Sequence, residues 1–445
     1  MTEHPSEPAW VEHALWWHVY PLGFVGAESA ALPDDASPVH RFEHLTAWLD
    51  YVVELGLSGI ALGPVFASHT HGYDTIDHLR IDPRLGSEDD FRHFLAEARS
   101  RGLRVTLDGV FNHVGRGFGA FQQVLRDGPD ATTASWFRLR WPEDAGPGTE
   151  PDYDDFEGHH ALVALDHSSP EVARHVREVM TYWLDVGIDG WRLDAAYAVP
   201  TEFWAGVLPQ VRAAHPDAYV FGEVLHGDHA ATVRAAGFDS ITQYELWKAI
   251  WSSINDGNFF ELSWALTRHA EFLETFVPLT FVGNHDVTRI ASRLDDPRHL
   301  AHATALLLML PGTPTVYAGD EQGMTGVKEE RAGGDDAVRP AFPATPTEMI
   351  AGGWDTYRLH QHLIGLRRRH AWLHRARIEV VTCTNTALLV RLSPAEGDGL
   401  LLALNLADEA VGLPRSGAEG VEAGDARLEE GLVLPAHGWA VLVAQ

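Results

Sequence analysis

Cysteine is nearly absent. Cys383 is the only one in 445 residues, which excludes an intrachain disulfide and any thiolate cluster within one chain, and fits a reducing compartment. No apolar run reaches the roughly 18 residues that a membrane span requires. The longest candidate, near Ala303 to Leu310, is cut short by Pro311 and Gly312. The stretch from Met1 to Trp10 carries Glu3 and Glu7, no Lys or Arg, and two prolines, so it lacks the basic start and apolar run of a secretory signal. These absences point to a cytoplasmic protein. Basic charge is also scarce: 33 Lys and Arg face 63 Asp and Glu, a formal net charge of −30. Such a surface repels phosphate backbones and anionic lipid, which argues against nucleic acid and membrane partners and favours a neutral substrate. There is no fixed-period repeat and no low-complexity tract.

What is present is a large apolar content. Hydrophobic residues make up 45% of the chain, with 15 Trp and 19 Phe, enough for a sizeable core and more than one domain. From about Leu15 to His370, short β-rich runs alternate with amphipathic helical patterns, the signature of βα units around a parallel sheet. The runs are Ala14–Tyr20, Gly59–Gly63, Leu103–Asp108, Ile188–Asp194, Tyr219–Glu223, Asp239–Thr242, Leu279–Gly283 and Thr313–Ala318. Eight such strands predict an α/β fold, a (β/α)₈ TIM barrel. Between them, Phe42, Leu45, Leu49, Val52 and Val53, and then Phe91, Phe94, Leu95 and Ala98, recur at helical spacing. The βα period breaks from Val114 to about Leu165, where Gly, Pro, Asp and aromatic residues dominate. An excursion after a third strand predicts a small inserted domain lining a cleft at the barrel's C-terminal face. After Arg369 helices vanish, and the runs Ile378–Thr382, Ala387–Leu392, Leu400–Leu404 and Trp439–Val443 predict an antiparallel β domain. The expected organisation is a barrel from residues 1–113 and 166–371, an insert at 114–165 and a C-terminal β-sandwich at 372–445.

Acids stand at the ends of the predicted strands. In Gly190-Trp191-Arg192-Leu193-Asp194, residues two apart share a face, so Arg192 and Asp194 point into the barrel side by side. A neighbouring guanidinium favours an ionised Asp, as a nucleophile requires. The next strand ends on Glu223, which has no basic residue near it in sequence and is the natural group to stay protonated as general acid. Strands roughly 4.8 Å apart put two such carboxyl groups about 5–5.5 Å apart, the separation of retaining glycosidases. Asp286 follows the seventh strand and Asp108 ends the third. Four acids at the same end of four barrel strands are poorly explained as solvated surface.

With these segments in place the chain resembles the α-amylase family of glycoside hydrolases over nearly its whole length. Asp108-Gly109-Val110-Phe111-Asn112-His113, Gly190-Trp191-Arg192-Leu193-Asp194, Phe221-Gly222-Glu223-Val224 and Phe281-Val282-Gly283-Asn284-His285-Asp286 look like its four catalytic segments, in order. Gly312-Thr313-Pro314-Thr315-Val316-Tyr317-Ala318-Gly319-Asp320-Glu321 resembles its eighth-strand segment. The resemblance implies Asp194 as nucleophile, Glu223 as acid/base and Asp286 as the third carboxylate, binding hydroxyls of the reacting sugar. It implies that Arg192 orients Asp194, that His113 and His285 bond the same sugar, and that Tyr73 stacks on its face. Asp108 would be structural, near the arginine. Asp335 and Arg339 have the spacing of a late Asp/Arg pair, with Asp336 as an alternative to Asp335.

Two departures carry further expectations. Many members hold a structural calcium between the third-strand Asn and an Asp that here is Ala164; Asn112 remains without that partner, so no metal or other cofactor is expected. A Lys-His pair after the nucleophile is Tyr197-Ala198 here, altering the leaving-group side. Ala195 is small, which in similar α-glucosidases accompanies α-1,4 preference. Trp372 and Trp439 are isolated, so the C-terminal domain is expected to pack on the barrel rather than bind starch. The leading reading is hydrolysis of α-1,4 bonds in maltooligosaccharides or α-glucans. Transfer or isomerisation on maltose or sucrose-like sugars uses the same residues and stays open, and a non-catalytic carbohydrate-binding barrel is the remaining alternative.

Overall fold

The computed structural model describes residues 7–33, 35–331, 333–349 and 351–445, so most of the N-terminal stretch discussed above, residues 1–6, lies outside it. Eight parallel strands form one sheet: β1 (Trp16–Val19), β2 (Gly59–Leu62), β3 (Arg104–Gly109), β4 (Gly190–Leu193), β5 (Tyr219–Gly222), β6 (Ser240–Ile241), β7 (Leu279–Phe281) and β8 (Thr313–Tyr317). Neighbours run in chain order from β1 to β6 on one side and through β8 to β7 on the other. A parallel bridge from Thr242 to Leu279 closes the ring. Each observed strand falls within one of the predicted runs or within a residue of it.

The barrel is a core rather than a pore. Trp16, Ala61, Tyr219, Phe221, Leu279 and Phe281 fill it from alternating positions of the strands, and all are buried. The helices close the outside. The Glu88–Ser100 helix shows why one forms there: Ser87 caps it with a reciprocal Ser87/Asp90 capping box, and Phe91, Phe94, Leu95 and Ala98 make one buried stripe. Each Phe or Leu so buried contributes roughly 1.5–3 kcal/mol of transfer free energy.

Two excursions rise from the strand ends. After β2, the strands Phe66–Ser68 and Thr75–Ile81 pair antiparallel and present the turn that carries Tyr73. After β3, residues 113–165 hold a three-stranded sheet of His113–Gly115, Asp155–Phe156 and His159–Ala164, with the helix Gly119–Asp127 burying Phe121 and Val124. Beyond the barrel, Arg377–Cys383, Ala387–Ser393, Gly399–Asn405, Ala418–Gly424 and Trp439–Ala444 form an antiparallel sheet. A second sheet holds Val411–Leu413, Arg427–Leu428 and Leu432–Leu434. The domain docks on the barrel through the Leu300–Met309 helix: His302 Nε2 lies 3.1 Å from the Asn405 carbonyl, and Trp372 and Trp439 pack half-buried on the main core. Among the described residues no helix is long and apolar enough to cross a membrane.

Candidate active site

Register places the acids. Arg192 on β4 lies opposite Asp108 on β3, and Leu193 lies opposite Gly222 on β5, so Asp194 and Glu223 leave neighbouring strands at the same level. All three acids and Arg192 are buried. Arg192 is the hub: Nη1 is 2.7 Å from both Asp108 oxygens and 3.2 Å from Asp194 Oδ1, while Nη2 is 3.0 Å from Glu223 Oε1. One guanidinium therefore meets three carboxylates, the fork geometry that suits arginine.

Glu223 has no cation near it in sequence, yet Arg192 reaches it across the strand. Burial pushes the Asp194 carboxyl well above the ordinary carboxylate range; Arg192 favours its ionised form, as the strand pattern implied, while Glu223 and Asp108 add to the rise. A strand pattern reveals a partner but not the loss of water around it. The Asp108 carboxyl is also raised by burial, against Arg192.

Asp286 behaves oppositely. Burial works against its charge, but His285 and Arg339 hold it below the ordinary range. Arg339 Nη2 is 2.8 Å from Asp286 Oδ1 and 3.1 Å from Asp335 Oδ2, and Lys328 Nζ is 3.4 Å from Asp335 Oδ1, so Asp335 rather than Asp336 is the arginine's partner. His285 Nε2 lies 3.0 Å from Asp286 Oδ2 and also meets the Tyr73 hydroxyl. Tyr73 donates to Asp108 Oδ2 at 3.0 Å, which ties the hairpin after β2 to the arginine hub. His113, expected to bond the same sugar, is buried, with its Nε2 3.0 Å from the Tyr73 carbonyl, its Nδ1 facing Asn112 and its ring stacked on Phe156. There it holds the Tyr73 turn.

Three cleft residues escaped the sequence reading. Tyr244 donates to Glu223 Oε1 at 3.1 Å and receives Asn284 Nδ2 at 2.9 Å. Tyr20 stacks on His285 and lies under the Arg339 guanidinium, 4.7 Å from its ring centre. His18 sets its ring edge against His285, and its buried Nε2 has no hydrogen-bond partner among the described residues. For His18 a signal existed, because it shares the inward face of β1 with Trp16 two residues earlier. The acids are thus divided: Asp108, Asp194 and Glu223 share the one guanidinium of Arg192, and Asp286 is held by Arg339 and His285.

The residues around Asn112 do not fit a calcium. Its amide turns to His113, Ala164 offers only backbone, and the nearby Asp154 is bound by Arg138 and Arg140. Elsewhere Asp296, His299 and His437 bring possible ligand atoms within 4.8 Å of one another, but Arg298 already occupies the Asp296 carboxylate at 2.6 Å.

The family model described as alpha amylase, catalytic domain, matches residues 42–347. A cyclomaltodextrinase of Geobacillus thermopakistaniensis is 30% identical over 430 residues, covering 92% of this chain and 71% of that protein. An intracellular maltogenic amylase of Bacillus subtilis is 29% identical over 72% of this chain, which spans only 57% of that relative's length. Among solved structures, a cyclic α-maltosyl-(1→6)-maltose hydrolase from Arthrobacter globiformis is similar with a TM-score of 0.84 at 26% identity, covering 98% of this chain and 100% of the other.

Proposed function

The chain belongs to the α-amylase family of glycoside hydrolases and is an enzyme acting on α-glycosidic bonds, and from that premise we propose that it cleaves α-1,4 bonds of maltooligosaccharides through a covalent glucosyl intermediate on Asp194. The observation that carries this is the arginine hub, where Arg192 holds Asp108, Asp194 and Glu223 together at the ends of three adjacent strands. Glu223 gives its proton to the glycosidic oxygen as an Asp194 oxygen bonds the anomeric carbon and the C–O bond breaks. A water then passes a proton to Glu223, and its oxygen displaces Asp194. Asp286, held charged by Arg339 and His285, is placed to bind sugar hydroxyls and to offset positive charge at the anomeric carbon. Tyr73 and His285 stack with ring centres 5.4 Å apart and form an aromatic wall for the sugar.

Asp194→Ala and Glu223→Gln test the assignment. Each is expected to lower kcat on maltotriose by about 10³-fold or more in a folded protein, and near-native turnover in either would refute it. The fold needs no structural calcium on this reading, which rests on Ala164 and on the turned Asn112 amide. A chelator is expected to leave the melting temperature unchanged; a drop of several degrees that calcium restores would contradict it. The lone Cys383 and the excess of acid support a cytoplasmic enzyme acting on neutral sugars.

A further inference from the structure

Among the described residues, Trp264 is the one exposed tryptophan of the 15, at 66% of its surface. It sits on the Phe260–Leu273 helix one turn after Phe260, which is 53% exposed, and the two rings share a face at i and i+4. Trp264 lines a groove of about 650 Å³ between this helix and the Tyr244–Asn255 helix, within the size range of ligand pockets. Ala249 and Ala265 lie along the groove, and small side chains there leave its depth open. Leu225, 37% exposed, and Tyr244 also line it. These two residues join the groove to the catalytic cleft, because Leu225 follows Glu223 by two positions and the Tyr244 hydroxyl bonds Glu223 itself.

The groove's charges indicate what it takes. Lys248 pairs with Glu261, and Arg268 Nε with Glu245 Oε1 at 2.6 Å, so the charges that line it cancel while keeping polar atoms beside the rings. Exposed aromatic surface beside self-neutralised polar groups suits a neutral ligand with apolar faces and many hydroxyls. We propose that this groove is a glucan-binding extension of the active site, in which a chain leaving the cleft past Tyr244 and Leu225 lays a glucose ring on Trp264. The proposal rests on the α-glucan reading above and adds the part of the molecule that recognises long substrates.

The test is isothermal titration of the full chain carrying Glu223→Gln with maltoheptaose and with maltose, with and without Trp264→Ala. Sedimentation velocity is run on both proteins. Trp264→Ala is expected to weaken maltoheptaose binding about tenfold and maltose binding less than about twofold, and Trp264→Phe to restore most of the loss. Because the ring is exposed, its removal leaves the core intact. Unchanged maltoheptaose affinity would overturn the proposal. So would a dimer that Trp264→Ala converts to monomer with glucan affinity intact, which would make the groove a self-association face. If the parent protein binds no maltooligosaccharide and the wild-type chain cleaves none, the α-glucan reading itself fails; if wild type cleaves maltoheptaose while Trp264→Ala binds it normally, only the groove fails.

Discussion

Ala195, directly after Asp194, has φ of 44°, a left-handed conformation that costs a residue with a Cβ roughly 1–2 kcal/mol. The strain is retained because this backbone aims the Ala195 N–H at Glu223 Oε2, 3.0 Å away, and so couples the two carboxyl-bearing strands. Ala195→Gly is expected to raise stability by up to about 1 kcal/mol, and Ala195→Val to lower it by about 2 kcal/mol or more, since a branched Cβ is worst in this region. Chemical denaturation measures both; a destabilising Gly with a neutral Val would rule out strain at this position. The smallness of Ala195 is legible in the sequence, but its φ is not, because the turn that imposes it is closed by a residue 28 positions later.

The short turn Asp320–Gln322 after β8 shows how an element stores pH dependence. Glu321 is fully buried, accepting from the Tyr51 hydroxyl at 2.8 Å and the Gly319 N–H at 2.9 Å, and burial lifts its carboxyl from 4.5 to about 7. An acid whose pKa is raised on folding binds its proton more tightly in the native state. Its contribution is therefore full below pH 4.5 and is lost as pH rises through about 7, on the order of 3 kcal/mol in all. Melting temperature is expected to fall across that window and to fall less steeply in Glu321→Gln, which should exceed the parent in stability at pH 8. An identical slope in both proteins would show that Glu321 is not the source. Among elements, the eight strands were legible because each couples a β-rich run to an end signal, and the register of β4 on β5 follows from alternation. The Tyr73 hairpin was not: Thr75–Ile81 carries Asp77, His78 and Arg80 within seven residues and pairs through bulges, so no clean alternation marks it. The sheet of Val411–Leu413, Arg427–Leu428 and Leu432–Leu434 escaped because its strands are two or three residues long.

At the scale of the whole molecule, parts far apart in sequence meet at one end of the barrel. Arg339 lies 53 residues from the Asp286 it holds, and Arg192 lies 84 from Asp108. The strand-end acids could be read in advance because each belongs to its own βα unit. Tyr20 and Tyr244 could not, since their roles depend on which loops face one another across the closed ring. That the C-terminal domain packs on the barrel was expected, but the contacts that make it, such as His302 to a backbone carbonyl, leave no pattern in composition. This convergence supports a double displacement at Asp194. The most direct measurement is proton NMR of maltotriose cleavage during the first minutes, before mutarotation mixes the anomers. A double displacement returns the α anomer first; an initial β product would mean that water attacks the sugar directly and that Asp194 is not the nucleophile.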